Sequence, residues 1–153
     1  MKPKLTIGFV FDDSLDKPDG VQQYVLILSR WLQAQGHEVH YLLGETRRLD
    51  IANLHSLSRN VTVRFNQNRM AMPLPARLKP IRDLLHQVHF DVLHVQVPYS
   101  PALAGRIIKA VEPDTAVVGT FHIAPHSRLV TLGNHLLGWW VRERLLVLAG
   151  DER

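Results

Sequence analysis

The segment from Pro18 to Gln23 is the part of this chain best suited to binding an anion. It joins a short apolar run, Leu5 to Phe11, to a helical pattern, Val21 to Gln35. Free N–H groups and the positive end of the helix dipole converge where such a helix begins, and a glycine lets a ligand come close to the backbone. We therefore expect Gly20 to face a phosphate, most simply the diphosphate of a nucleotide-linked substrate.

The elements that must position this segment alternate between short apolar runs and helical periodicity, a pattern typical of βαβ units and a parallel sheet. The fold class is therefore α/β, a Rossmann-like parallel sheet flanked by helices. Five strands are predicted, at Leu5–Phe11, Glu38–Leu43, Val61–Phe65, Asp91–Gln96 and Ala116–Phe121. Helices are predicted at Val21–Gln35, Leu78–Val88, Pro101–Val111 and Leu129–Leu148, with a loop after Phe65 and a helix stop at Gly36.

Ligands of an open parallel sheet bind outside the carboxyl ends of its strands. Four predicted loops meet there and form one candidate site: Asp12–Gly20, Asn66–Arg69, Gln96–Ser100 and His122–Ser127. The first loop lacks both G-x-G-x-x-G and G-x-x-x-x-G-K-[ST], which disfavours a standard dinucleotide fold and a P-loop. His122 and His126 lack the glutamate of H-E-x-x-H, and we expect no metal site.

Charge is unevenly distributed along the 153 residues. Lys and Arg number 18 against 14 Asp and Glu, which gives +4, yet residues 46–82 alone carry +7. This basic segment is either a solvated surface or a face for an anionic partner, and the sequence leaves both interpretations open. The length suits one domain, which we place at residues 4–150.

Cysteine is absent, so we expect a reducing cytoplasmic location without disulfides. No segment reaches the roughly 18 uninterrupted apolar residues of a membrane span. The Leu129 to Ala149 stretch comes closest, and Trp139 and Trp140 within it suit either an interfacial helix or packing on the sheet, with packing favoured. A peripheral position at the inner membrane face stays open.

Five sequence blocks, in order, resemble the N-terminal domain of GT-B glycosyltransferases of family 4, with the phosphatidylinositol mannosyltransferases as the nearest likeness. The blocks begin at Ile7, Pro18, Gly36, Phe90 and Gly119, and the resemblance covers about residues 4–128. It implies one Rossmann-like half of an enzyme that transfers a sugar from a nucleotide-sugar to a lipid or glycan acceptor with retention of configuration. The nucleotide-sugar is a substrate, and no cofactor is expected.

The resemblance also implies roles for individual residues. Gly20 would meet the donor diphosphate, Gln22 would lie close to that turn, and His122 would be the catalytic histidine beside the transferred sugar. Without the resemblance, His122 is better explained as a loop-end histidine bonded to backbone. Six further residues would bind the acceptor: Asp13, Asp16, Asn66, Arg69, Ser127 and Arg128. Asp19 and Asp13 stand where the inositol-lipid enzymes carry glycine and tyrosine, which disfavours an inositol-lipid acceptor.

Retaining transfer could use a carboxylate nucleophile, as retaining glycosidases do, or a front-face route in which the leaving phosphate accepts the proton. The resemblance implies the second. The pair Asp12 and Asp13 is then expected to be a turn and an N-terminal anchor.

In the resembling family, a second Rossmann-like domain carries most donor contacts and an acidic E-x7-E motif. We expect this chain to be the acceptor-side half, inactive alone, with a separate C-terminal GT-B domain and an anionic membrane surface as candidate partners and no nucleic acid. The alternative is a non-catalytic half-domain that binds an anionic glycan, glycolipid or protein through residues 46–82. A receiver-like phosphoacceptor domain is a remote third candidate, because strand three lacks a terminal aspartate and strand five a following lysine.

Overall fold

The computed structural model describes residues 3–17, 19–65, 68–96, 98, 100–120, 122 and 146–147. Its elements follow in the order β1 (Thr6–Phe11), α1 (Gly20–Ala34), β2 (Glu38–Leu43), β3 (Leu54–Ser56), β4 (Asn60–Phe65), β5 (Asn68–Pro73), α2 (Leu78–Val88), β6 (Val92–Gln96), α3 (Ala104–Ala110), β7 (Ala116–Thr120) and β8 (Leu146–Val147).

Six of these strands form one parallel sheet in the order β3-β2-β1-β6-β7-β8. The chain runs outward from β1 to β2 and β3, and then returns to place β6 on the other side of β1. The strand order therefore reverses between β1 and β6. A crevice opens at the carboxyl ends of strands at such a reversal, which is where α/β sheets bind ligands.

Side chains of the central strands are buried on both faces, as expected when helices cover a parallel sheet. On one face Phe9, Phe11 and Tyr41 pack with Val25 of α1. On the other, Val10 and Leu93 join a larger cluster with residues of α2 and α3. The predicted α/β class, with its Rossmann-like parallel sheet flanked by helices, is confirmed.

The unit β1–α1–β2 matches the sequence prediction to within a residue at each boundary. Asp19 caps α1, and Gly36 after the helix has a φ of 91°, a conformation that glycine adopts without strain. Helix α2 has the predicted bounds because Ile81, Leu84 and Leu85 recur at helical spacing and are buried.

The third predicted strand was wrongly assigned to the parallel sheet. The segment Val61–Phe65 lies in β4, but β4 pairs antiparallel with β5 in a separate two-stranded sheet. The predicted loop after Phe65 is thus largely the strand β5. The third parallel strand is β3, only three residues long, so its apolar signal was too short to detect. The alternating pattern of Val61 to Phe65 suits an antiparallel hairpin, whereas a strand covered on both faces is apolar throughout.

Two further predictions needed correction. Helix α3 begins at Ala104, after a turn at residues 101–103, and not at Pro101. The predicted helix Leu129–Leu148 is wrong at residues 146–147, which form β8 and pair parallel with β7. A short apolar run such as this one cannot be assigned to helix or strand from periodicity alone. The rest of that predicted helix, including Trp139 and Trp140, lies outside the described residues.

Candidate functional site

The candidate site lies at the strand-order reversal, where the carboxyl ends of β1, β6 and β7 meet the start of α1. The loop after β1 leads into α1, Gln96 ends β6, and His122 follows β7 by two residues. Three of the four loops predicted to converge contribute described residues here. Of the fourth, Asn66–Arg69, residues 68 and 69 belong to β5, where Arg69 pairs with Arg64, and residues 66 and 67 lie outside the described residues.

The loop after β1 is fixed by its own carboxylates. Asp12 Oδ1 accepts hydrogen bonds from the backbone N–H groups of Leu103 (2.8 Å) and Ala104 (3.1 Å), so it anchors the start of α3. Asp13 Oδ1 accepts from the N–H of Ser14 at 2.7 Å. The pair therefore serves as a turn and an anchor, as the sequence indicated.

Asp16 joins this loop to the one after β2. It accepts hydrogen bonds from the Thr46 hydroxyl (2.6 Å) and the Arg47 N–H (2.9 Å). Burial raises the pKa of Asp16, but these hydrogen bonds and the charge of Arg47 outweigh it, so the pKa is lowered. Asp16 was predicted to bind the acceptor. In the structure its carboxylate joins the loops that follow β1 and β2.

The first turn of α1 differs in one respect from the expectation of free amides. Asp19 Oδ1 accepts hydrogen bonds from the N–H groups of Val21 (3.1 Å) and Gln22 (3.3 Å). The carboxylate therefore occupies two of the donors that an anion would use. At Gly20 an added Cβ would meet nothing within 4 Å, so the space above this backbone is open.

The side chain of Gln22 points into the protein and is 2% exposed. Its Nε2 donates to the carbonyl of Ser14 at 3.0 Å, while Oε1 is buried without a hydrogen-bond partner among the described residues. Gln22 thus holds the loop after β1 against α1. Its predicted place in the donor diphosphate loop stays a prediction.

His122 lies against the same first turns of α1. Its ring meets Tyr24 edge-on, with the centroids 5.0 Å apart, and its Nε2 contacts Oε1 of Gln96. Burial lowers the pKa of His122, and the nearby Asp19 carboxylate acts in the opposite direction. The start of α1 and His122 therefore lie next to each other.

A second histidine, His94 of β6, lies close to Tyr24 and His122. Its Nε2 is 2.7 Å from the Thr120 hydroxyl, and its ring lies 5.2 Å from Phe9 and 6.1 Å from Tyr24. Burial, and then the charge of His122, lower the pKa of His94 to about 4. At neutral pH His94 is uncharged and supports the aromatic floor of the site.

Four of these residues were not singled out from the sequence: Tyr24, His94, Gln96 and Thr120. A signal for three of them was present. His94 and Gln96, and likewise Thr120 and His122, stand two residues apart at the ends of predicted strands, and such pairs point to the same face. Register makes Gln96 and Thr120 direct neighbours.

The acceptor roles of all six predicted residues stay predictions. Asn66, Ser127 and Arg128 lie outside the described residues, and only the backbone of Arg69 is described. In the described ranges no group of three or more His, Asp or Glu side chains is arranged to hold a metal ion. None of the helices in the described part of the chain combines the length and apolar character that a membrane crossing requires.

A separate cleft of about 500 Å³ lies beside the base of the hairpin. Its lining includes Ser58, Arg59, Ala76 and Arg77, with Glu45 as an acidic member. Ser58 is buried, and its hydroxyl has no hydrogen-bond partner among the described residues. Two arginines and a free hydroxyl make this cleft suitable for an anion.

The sequence of this chain matches a family model and known enzymes. The model of Glycosyltransferase Family 4 matches residues 18–149. A phosphatidyl-myo-inositol mannosyltransferase of Propionibacterium freudenreichii is 31% identical, over 87% of this chain and 37% of that protein. Its counterpart in Mycolicibacterium smegmatis is 31% identical, over 82% of this chain and 32% of that protein. The chain thus spans about a third of the length of these relatives.

A solved structure adds a likeness of fold. An alpha-glucosyltransferase in complex with UDP and a 13-mer DNA containing a HMU base matches 95% of this chain and 38% of that chain, with a TM-score of 0.54. The sequence identity is 18%, so the likeness concerns the fold alone.

Proposed function

This chain belongs to glycosyltransferase family 4, and on that premise we propose that it is the acceptor-side half of an enzyme that transfers a sugar from a nucleotide-sugar to a lipid or glycan acceptor. The observation that carries the proposal is that the start of α1 and His122 lie together at the strand-order reversal, where Tyr24 meets the ring of His122 and Asp19 acts on its pKa. A backbone with open space at Gly20 suits a diphosphate, and an imidazole beside it suits a sugar hydroxyl.

The proposed donor diphosphate lies over the Gly20 backbone. Because Asp19 and a diphosphate are both anions that seek the amides of Val21 and Gln22, the carboxylate must give way as the donor binds. No cofactor is required, since the nucleotide-sugar brings its own leaving group.

The proposed stereochemical course is retention by front-face transfer. The leaving phosphate takes the proton of the acceptor hydroxyl, so no pair of catalytic carboxylates is needed. In support, Asp12 is committed to the amides of α3, and Asp13 accepts from Ser14.

The whole enzyme is proposed to need a second, donor-binding domain. The chain spans 37% of one mannosyltransferase relative, which leaves room in that protein for such a domain. A lipid acceptor would place the reaction at the inner face of a membrane, and the absence of cysteine suits a cytoplasmic setting.

A transfer assay tests the proposal. Nucleotide-sugars with a labelled sugar are incubated with a panel of lipid and glycan acceptors, using the 153-residue chain alone or together with the C-terminal domain of a mannosyltransferase relative. We expect labelled product only in the complemented mixture, with the anomeric configuration of the donor and loss of product for His122→Asn. Turnover by the chain alone would contradict the half-enzyme, and inverted product would contradict retention.

One observation favours the alternative function, a half-domain that binds an anionic partner without catalysis. The cleft lined by Arg59 and Arg77 presents two cations of the basic segment. Elsewhere in that segment Arg48 pairs with Asp50, and Lys79 with Asp83, which reduces its effective charge. Co-sedimentation with anionic vesicles across a salt series tests it: binding that falls with ionic strength and is lost in Arg59→Gln/Arg77→Gln supports this function.

A further inference from the structure

Gln96 holds a buried position directly behind His122. It is the last residue of β6 and is 1% exposed, next to Thr120 in the register of β7. Its side chain reaches the imidazole of His122 two residues beyond Thr120. A buried amide is costly unless its polar atoms are paired, so the geometry of this contact is specified.

The backbone fixes the orientation of this amide. Gln96 Nε2 lies 3.4 Å from the carbonyl oxygen of His94, an atom that can only accept hydrogen bonds. The NH₂ group must therefore face His94, and Oε1 must face His122. Because Oε1 can only accept, the proton of this contact belongs to Nε2 of His122.

We infer that Gln96 is a positioning residue that holds His122 as the Nε2–H tautomer and leaves Nδ1 as the acceptor atom for substrate. This inference rests on the proposed function, since it assigns an atom of His122 to the sugar or acceptor hydroxyl. A neutral imidazole has one nitrogen that donates a hydrogen bond and one that accepts. Because Nε2 is the donor here, Nδ1 is the acceptor. A substrate hydroxyl would thus donate to Nδ1.

The charged and aromatic groups around the ring are consistent with this assignment. Asp19 at the start of α1, Tyr24 on α1 and His94 on β6 also face His122. Burial lowers the pKa of His122, so the ring is neutral at pH 7 and its tautomer matters. His94 is neutral as well and adds no competing charge.

Imidazole ¹⁵N NMR on the 153-residue chain with labelled histidine tests the inference. The His122 signals are assigned by their loss in His122→Asn. We expect the Nε2–H tautomer in the wild type and a change of about fivefold in the tautomer ratio in Gln96→Met, which removes one hydrogen bond of ordinary strength. Gln96→Glu keeps the acceptor, so it should restore the Nε2–H tautomer and raise the pKa of His122. Gln87→Glu, on the exposed surface of α2, is the matched control and should change neither.

An Nδ1–H tautomer in the wild type, or an unchanged ratio in Gln96→Met, would overturn the inference. If Gln96→Met does not fold, the wild-type tautomer and the pKa of His122 in Gln96→Glu decide the question. These readouts need no donor and no turnover. A failed transfer assay with the expected tautomer would remove the proposed function alone, and product formation with the opposite tautomer would remove only the role of Gln96.

Discussion

Asp19 acts in two places at once. Its carboxylate caps α1 through the amides of Val21 and Gln22, and its charge acts on the pKa of His122. A single side chain therefore couples the proposed diphosphate site to the proposed catalytic histidine. The sequence showed Asp19 only as a departure from the related enzymes, because the distance to His122 depends on the folded chain.

Asp19→Asn should lower the pKa of His122 and strengthen donor binding. Asparagine caps a helix as well as aspartate does but carries no charge, so stability should change by less than about 1 kcal/mol. An NMR pH titration of His122 and a nucleotide-sugar titration measure the two effects. Asp83→Asn, exposed on α2, is the control. A higher pKa, or weaker binding, would contradict the role given to Asp19.

Gly20→Ala should weaken donor binding without lowering the stability of the protein. A methyl group at Gly20 meets no protein atom, and alanine is favoured over glycine in a helix by up to about 1 kcal/mol, so stability should be unchanged or higher. The same methyl group would occupy the space proposed for the diphosphate and weaken donor binding by about tenfold, equivalent to ~1.4 kcal/mol.

Gly36→Ala is the matched control, and it should change stability but not donor binding. Its φ of 91° is strained for alanine, so this variant should lose about 1 kcal/mol of stability and keep its affinity for the donor. Urea unfolding and calorimetry measure both quantities. Equal donor affinity of Gly20→Ala and wild type would show that the backbone at residue 20 does not approach the ligand.

At the scale of elements, the contact between β1 and α3 depends on Asp12. Because Asp12 Oδ1 accepts from two amides at the start of α3, Asp12→Ala should reduce the free energy of unfolding by about 1–2 kcal/mol. Asp13→Ala removes only a local bond to Ser14 and should cost less than about 0.5 kcal/mol. Equal losses in urea unfolding would show that Asp12 is not an anchor.

The sequence predicted those elements whose boundaries are set locally. Helix α1 has a capping aspartate, helical apolar spacing and a terminal glycine, and it was predicted to within one residue. The hairpin β4–β5 and the strands β3 and β8 were missed or misassigned. Their identity depends on which strands they pair with, and three or two residues carry too little periodicity to specify a partner.

At the scale of the whole molecule, the difference between local and long-range contacts also explains which site residues could be predicted from the sequence. Gly20 was predicted from its place at a helix start and His122 from the resemblance, and the reversal of strand order brings the segments that carry them together. Tyr24 and Gln96 were not given roles of their own, because they contact His122 from 98 and 26 residues away in the sequence. Such contacts are set by packing and not by local pattern.

Three partly buried histidines predict how the stability of the whole molecule depends on pH. The pKa of His94 is lowered to about 4, and the pKa values of His55 and His122 are lowered too, chiefly by burial. The unfolded chain therefore binds more protons below its ordinary histidine pKa of about 6.5. The stabilisation that comes from these neutral histidines should be fully present above that value. It should be lost as the pH falls toward 4.

Urea unfolding at pH 7.5 and pH 5 checks this dependence. The wild type should be less stable at pH 5, and His94→Gln should reduce the difference between the two values. Gln87→Ala, at an exposed position on α2 that does not titrate, serves as the control and should leave the difference unchanged. Equal or greater stability at pH 5 would show that these histidines are not held in their neutral form.

The central claim is that the start of α1 and His122 form one donor site, and a nucleotide-sugar titration followed by NMR tests it most directly. Nucleotide-sugars are added to the ¹⁵N-labelled 153-residue chain while the amides of residues 19–22 and the imidazole of His122 are observed. We predict that both sets of signals shift together with one dissociation constant. Shifts confined to the cleft of Arg59 and Arg77, or shifts at α1 without any at His122, would contradict the claim.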